Sequence, residues 1–189
     1  MAAAARARGR LVLVVGPSGA GKDSLIDAAR ERLAGNPRFV FPRRLVTRPR
    51  DLGSEDHLTL SEADFACQRD AGAFFLHWRA HGLHYALPGS VAEDLAGGRT
   101  VVANVSRTVI AEARRKQPAT TVVIVTAPLA VLAERLKARG REDAAAIDDR
   151  LARAAEQPSG PDVVMVMNDG PFQASVERFL QVMTAPAGA

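Results

Sequence analysis

Residues 11–26 read LVLVVGPSGAGKDSLI, and this stretch decides the fold. Leu11 to Val15 is a short continuous apolar run, the pattern of a strand buried on both faces of a parallel sheet. Leu25, Ile26, Ala29 and Leu33 then recur at helical spacing until Gly35 stops them. Between strand and helix lies Gly16-Pro17-Ser18-Gly19-Ala20-Gly21-Lys22, a Gly-x-x-x-x-Gly-Lys loop in the context that gives the motif its meaning. Its glycines let successive backbone N–H groups turn onto a phosphate, and the helix dipole adds positive potential at the same point. Lys22 supplies a mobile charge for the β and γ phosphates. The loop from Gly16 through Ser24 is therefore expected to hold ATP, with Lys22 also acting on the group in transit. After the lysine, Ser or Thr usually offers a hydroxyl to Mg²⁺, but here Asp23 stands there, followed by Ser24. A carboxylate is also a hard oxygen ligand, so Mg²⁺ is expected with Asp23 and Ser24 as candidate ligands. The alternative for Asp23 is that it only complements the positive end of the helix.

Outward from this stretch, strands and helices alternate. Thr100 to Val105 and Thr120 to Val125 read as buried strands, and Val163 to Met167 as a late one. Leu129, Leu132 and Leu136 repeat at helical spacing behind Pro128, and Ile147 and Leu151 mark a further helix. Phe172, Val176, Phe179, Leu180 and Met183 form the stripe of a closing helix. The pattern is that of an α/β fold with a mostly parallel sheet. Residues 10–183 form the expected domain, with short tails at 1–9 and 184–189. From 43 to 88 the segments are short, polar and broken by Gly and Pro, and all four histidines (His57, His77, His81, His84) fall there. This part reads as an insertion on the edge of the sheet that shapes an acceptor site.

Composition narrows the partners. The chain has 189 residues, 24% charged and 5% aromatic, with a net charge of +4. Its basic residues are three lysines and twenty-two arginines, and arginine binds phosphate through a planar fork. Few aromatics and no basic run argue against nucleic acid. One cysteine, Cys67, excludes a disulfide framework and points to a reducing cytoplasm. No apolar run approaches the ~18 residues of a membrane helix. Small phosphorylated molecules are thus the expected partners, and a homodimer is left open.

Two arginine clusters suit that expectation. Arg135, Arg139, Arg141 and Arg150 surround Arg139-Gly140-Arg141-Glu142, which reads as a lid over 139–146 that brings cations over a transferring phosphoryl group. Thr47-Arg48-Pro49-Arg50 follows a short strand, where Arg48 and Arg50 could hold phosphate on the acceptor. The histidines lack a metal-ligand spacing and read as polar contacts, with one of them structural. Trp78 and Phe75 read as core.

Taken together, the loop, Thr47-Arg48, the segment 75–85, Arg139-Gly140-Arg141 and Asn168-Asp169 resemble the guanylate-kinase branch of P-loop kinases. That resemblance implies a three-layer P-loop kinase fold with a mostly parallel central sheet, an acceptor-binding insertion and a lid. It also implies that Asn168 and Asp169 neighbour the adenine of ATP. The departures are informative. Guanylate kinases carry a guanine-reading glutamate where His77 stands, acidic residues where Asn104-Val105-Ser106 stands, and tyrosines where His57 and His84 stand. Gly-Lys-Asp-Ser-Leu at 21–25, Gly53 to His57, His81 to Tyr85 and Asn104 to Arg107 are instead similar to the subfamily of ribose 1,5-bisphosphate phosphokinases. Such a resemblance implies transfer of a phosphoryl group from ATP to the C1 phosphate of that sugar. Lys22, Arg139, Arg141 and Arg150 would then be catalytic and Arg135 a further contact to ATP. Arg48, Arg50, Glu55, His57, His77, His84, Tyr85 and Asn104 would bind the acceptor. The competing expectations are a nucleotide kinase of guanylate type and a non-catalytic binding module, which usually loses the loop retained here.

Overall fold

The computed structural model describes residues 9–48, 57–139 and 158–185, with the backbone alone described over 136–139. At its centre is β1 (Arg10–Val15), flanked by β7 (Thr100–Asn104) and β8 (Thr120–Thr126). The short β2 (Phe39–Val40) and β9 (Val163–Met167) form the edges, giving the order β2-β7-β1-β8-β9. All four pairings are parallel. Alternation along β1 explains its unbroken apolar run. Leu11, Leu13 and Val15 face one layer, with Val91 and Leu95 of α3 (Ser90–Ala96) and Ile110 of α4 (Ile110–Lys116). Val12 and Val14 face the other, with Leu25 and Ile26 of α1 (Lys22–Arg32), Leu132 of α5 (Leu129–Arg139) and Phe179 and Met183 of α6 (Phe172–Thr184). Each large apolar side chain fully buried here contributes about 1.5–3 kcal/mol. The result is the expected three-layer α/β arrangement, and the carboxyl ends of the central strands open onto a crevice where the crossovers diverge to either side of β1.

Residues 44–88 do not extend the edge of that sheet. They build a second, four-stranded one from β3 (Arg44–Val46), β4 (His57–Thr59), β5 (Phe74–Ala80) and β6 (Leu83–Pro88), in the order β4-β3-β6-β5. β3 and β4 are parallel, and the other pairs antiparallel. One face is covered by α2 (Glu62–Asp70), whose Phe65 packs on Leu45, Phe74 and Ala86. From the other face Leu76, Trp78 and Leu87 enter the main core beside Val105, Val109 and Ile110. The hairpin between β5 and β6 turns on His81 and Gly82, at φ 50° and 75°. Two consecutive positive φ angles are what a two-residue hairpin turn of matching twist requires, so His81 is a turn residue.

The boundaries differ slightly from those expected. Gly9, assigned to a tail, is buried, and its N–H donates to the Leu95 carbonyl. At the other end Arg10 donates to the carbonyls of Val182, Met183 and Ala185 and so caps α6. Phe172 is exposed at the first position of α6, because the buried stripe begins only at Ser175 and Val176. The helix expected around Ile147 and Leu151 and the lid beyond Arg139 lie outside the described residues.

Candidate active site

The Gly-Lys loop closes over the carboxyl ends of β1, β8 and β9. Gly16 has φ 146°, and a Cβ there would overlap the Val125 carbonyl of β8. Gly21 caps α1 in the left-handed region at φ 86°, where a Cβ would stand 2.5 Å from Asn168 Nδ2. Neither position can carry a side chain without moving its neighbour. The Lys22 ammonium donates to the carbonyls of Gly16 and Pro17, both at 2.9 Å, which folds it across the cradle it is expected to serve. Gly19 and Ala20 are buried, while Ser18 is half-buried and Ser24 exposed on the first turn of α1.

Asn168 and Arg135 hold this loop from below. The Asn168 amide donates to the Ala20 carbonyl at 2.8 Å, and its backbone N–H to the Thr126 carbonyl at 2.7 Å. Arg135 donates to the carbonyls of Asn168 at 3.0 Å and Gly19 at 3.4 Å. Asn168 is only 4% exposed, so its amide acts as a strut of the phosphate cradle, whereas Asp169 next to it is exposed. Of the late arginines, Arg135 is thus placed at the loop. The Arg139 side chain, Arg141 and Arg150 lie outside the described residues, as do Arg50 and Glu55.

Asp23 faces the second sheet. Its Oδ1 accepts from Asn104 Nδ2 at 2.6 Å and lies 3.7 Å from Arg44 Nη2. One carboxylate oxygen thereby joins the start of α1, the end of β7 and the start of β3. Asp23, Pro42, Arg44, Ala103 and Asn104 line the cleft between the two sheets. Asp23 Oδ1 is thus turned to protein partners on the acceptor side of the cleft. Arg44 was not among the residues singled out from sequence. Its signal was there in the alternation Arg44-Leu45-Val46, which turns Arg44 away from the face where Leu45 is buried under α2.

Strand alternation also divides the expected acceptor contacts. Register pairs Arg44 with His57 and Val46 with Tyr85, on the face turned away from α2. His57 is buried, and Tyr85 stacks on Trp78 with centroids 5.6 Å apart. His84, one residue before Tyr85, lies on the opposite face. It stacks on Phe65, and its Nδ1 is 2.8 Å from Glu62 Oε2. His77 pairs with Ala86 and so shares that face. The histidines therefore do not form one lining. The hydroxyl of Thr47 and the ring of His84 bind the Glu62 carboxylate and hold it below the usual carboxylate range. At the end of β3, Arg48 is half-buried, and its Nε is buried without a hydrogen-bond partner. An orphaned buried donor on a guanidinium can receive an incoming anion.

Comparisons with known proteins bear on the family and the fold. Residues 12–156 match the family model described as AAA domain. The chain is 56% identical over 177 residues to the ribose 1,5-bisphosphate phosphokinase PhnN of Methylobacterium radiotolerans, covering 94% of this chain and 98% of that protein. It is 46% identical over 178 residues to the bifunctional ribose 1,5-bisphosphokinase-thymidine phosphorylase of Azorhizobium caulinodans, covering 94% of this chain and 26% of that longer protein. Among solved structures, the guanylate kinase of Anaplasma phagocytophilum superposes with a TM-score of 0.67 at 14% identity, over 97% of this chain and 88% of that one. That likeness bears on the fold alone.

Proposed function

The chain belongs to the family of ribose 1,5-bisphosphate phosphokinases, and on that footing we propose how its own residues carry the reaction. The enzyme is an ATP-dependent phosphotransferase of phosphonate catabolism that converts ribose 1,5-bisphosphate to 5-phosphoribosyl 1-diphosphate and ADP. An oxygen of the C1 phosphate attacks the γ-phosphorus of ATP, and the bond from that phosphorus to the bridging oxygen breaks. The nucleophile is already an anion at neutral pH, so no general base is required. The barrier is repulsion, since each phosphomonoester carries about −1.5 to −2. Catalysis is then mainly positioning and charge compensation.

One observation carries this division of labour: Asp23, which directly follows Lys22 of the phosphate cradle, and Arg44 of the second sheet line one cleft and face each other across it. Residues 16–22 and Ser24 hold the ATP phosphates, Arg135 and Asn168 support the loop, and Asp169 stands toward the adenine. Arg139, Arg141 and Arg150 close over the γ-phosphoryl group. Arg48 and Arg50 hold acceptor phosphate, with Glu55, His57 and Tyr85 beside the sugar. His77 and His84 act on the α2 side of the sheet. Mg²⁺, when bound, would lower the charge of the ATP phosphates and would take most of its ligands from water and phosphate. That requirement fits the donors present, and Ser24 is the residue we assign to it, because Asp23 Oδ1 is engaged by protein. We place the enzyme in the cytoplasm, acting on small molecules and not on nucleic acid.

Product analysis by ³¹P NMR with ATP, Mg²⁺ and either ribose 1,5-bisphosphate or GMP tests the reading. A new sugar diphosphate signal is expected from the first acceptor, and turnover of GMP alone would overturn it. Lys22→Ala should lower kcat at least a hundredfold, consistent with loss of about 3 kcal/mol of electrostatic stabilisation. Near-normal turnover in that variant would remove the loop from the mechanism.

A further inference from the structure

We propose that Arg44 binds a phosphate of the acceptor, and that Asp23 and Asn104 are positioning residues that set it against the donor loop. The inference rests on the phosphokinase reading above and names a residue that reading did not need. Its basis is the meeting of three elements at Asp23 Oδ1. Asn104 Nδ2 donates to that oxygen at 2.6 Å, and Arg44 Nη2 stands 3.7 Å away. The Arg44 side chain is 14% exposed and that of Asp23 34%. A guanidinium this shielded is placed beside a counter-charge, the Asp23 carboxylate.

The location gives that pair its purpose. Asp23 directly follows the phosphate-loop lysine, while Arg44 opens the strand that ends just before Arg48. Alternation turns positions 44 and 46 to the face of the sheet away from α2, and Arg48 follows just beyond the strand with its Nε buried and without a hydrogen-bond partner. Two arginines, one opening β3 and one two residues past its end, suit an acceptor with two phosphates, because each phosphate meets its own cation. A nucleoside monophosphate has only one phosphate to offer, so Arg44 selects for a bisphosphate. Asp23 links that selection to the donor side: a shift of the acceptor sheet moves Arg44 relative to the helix carrying Lys22.

Steady-state kinetics of Arg44→Ala, Arg44→Lys, Asp23→Asn and Asn104→Ala test the proposal, with ATP, Mg²⁺ and acceptor each varied. Arg44→Ala should raise KM for ribose 1,5-bisphosphate at least tenfold and leave KM for ATP within twofold. Arg44→Lys should recover part of the loss, since it keeps the charge and lacks the fork. Asp23→Asn and Asn104→Ala should each raise acceptor KM severalfold, with the Mg²⁺ concentration for half-maximal rate unchanged. An unaltered acceptor KM in both Arg44 variants would overturn the role of Arg44. A Mg²⁺ requirement that rises in Asp23→Asn at constant acceptor KM would make Asp23 a metal-side residue instead. ATP-induced thermal stabilisation, retained in every variant, separates these outcomes from misfolding. Failure of the wild type to form a sugar diphosphate would refute the parent reading and not this one alone.

Discussion

Gly21 shows how a single position couples backbone and site. At φ 86° a side chain costs about 1–2 kcal/mol in strain, and a Cβ would also press on the Asn168 amide. That amide donates to the Ala20 carbonyl, a bond with a net value of about 1 kcal/mol. Gly21→Ala should therefore lose roughly 2–3 kcal/mol of stability, or about 5–10 °C in Tm, together with most ATP affinity. Calorimetry and ATP titration check this, and a variant with unchanged Tm and ATP affinity would show that the left-handed cap is dispensable. The importance of Gly21 was legible from the motif. The role of Asn168 was not, because it lies 147 residues further along the chain and its contact exists only once β9 has been laid beside β8. For Arg44 the alternation of its own strand showed only which face it takes, and its partner Asp23 lies across the cleft, 21 residues earlier in the chain.

Among the elements, α2 is held by both apolar and polar contacts. Phe65 anchors it in a small apolar cluster, and Glu62 ties its first turn to Thr47 and His84. These partners hold the Glu62 carboxyl below its ordinary value, so the folded state binds that proton less readily than the unfolded chain. The contribution is present above the unfolded-state value of about 4.3 and fades as pH falls through the lower folded value. Glu62→Gln should thus lower Tm at pH 7, and the gap to wild type should close below about pH 4. A gap that stayed constant from pH 7 to pH 3 would show that the charge on Glu62 plays no part. The parallel strands and their helices were readable because each buries a periodic face or a full apolar run. The second sheet was not, since β3 and β4 have three residues each, too few for alternation to stand out. Their order comes from long-range pairing, and reading the segment as an edge insertion missed it.

At the scale of the molecule, the question is whether the acceptor sheet is a separate body or part of one. Leu76, Trp78 and Leu87 share a core cluster with Leu11, Leu13 and Val15 of β1 and with Ile110 of α4. Lys116 of α4 adds a bond from its ammonium to the Phe75 carbonyl at 2.6 Å. Buried apolar contact between the sheets means that unfolding one exposes core belonging to the other, which makes the transition cooperative. The chain carries one tryptophan, Trp78, and it sits at this junction. Its fluorescence therefore reports the acceptor sheet, while far-UV circular dichroism is dominated by the helices and the parallel sheet. In urea the two signals should give coincident midpoints and the same m-value, within error. A fluorescence transition clearly below the dichroism transition would mean that the acceptor sheet unfolds alone, and the shared cluster would then be too weak to bind donor and acceptor sides into one unit.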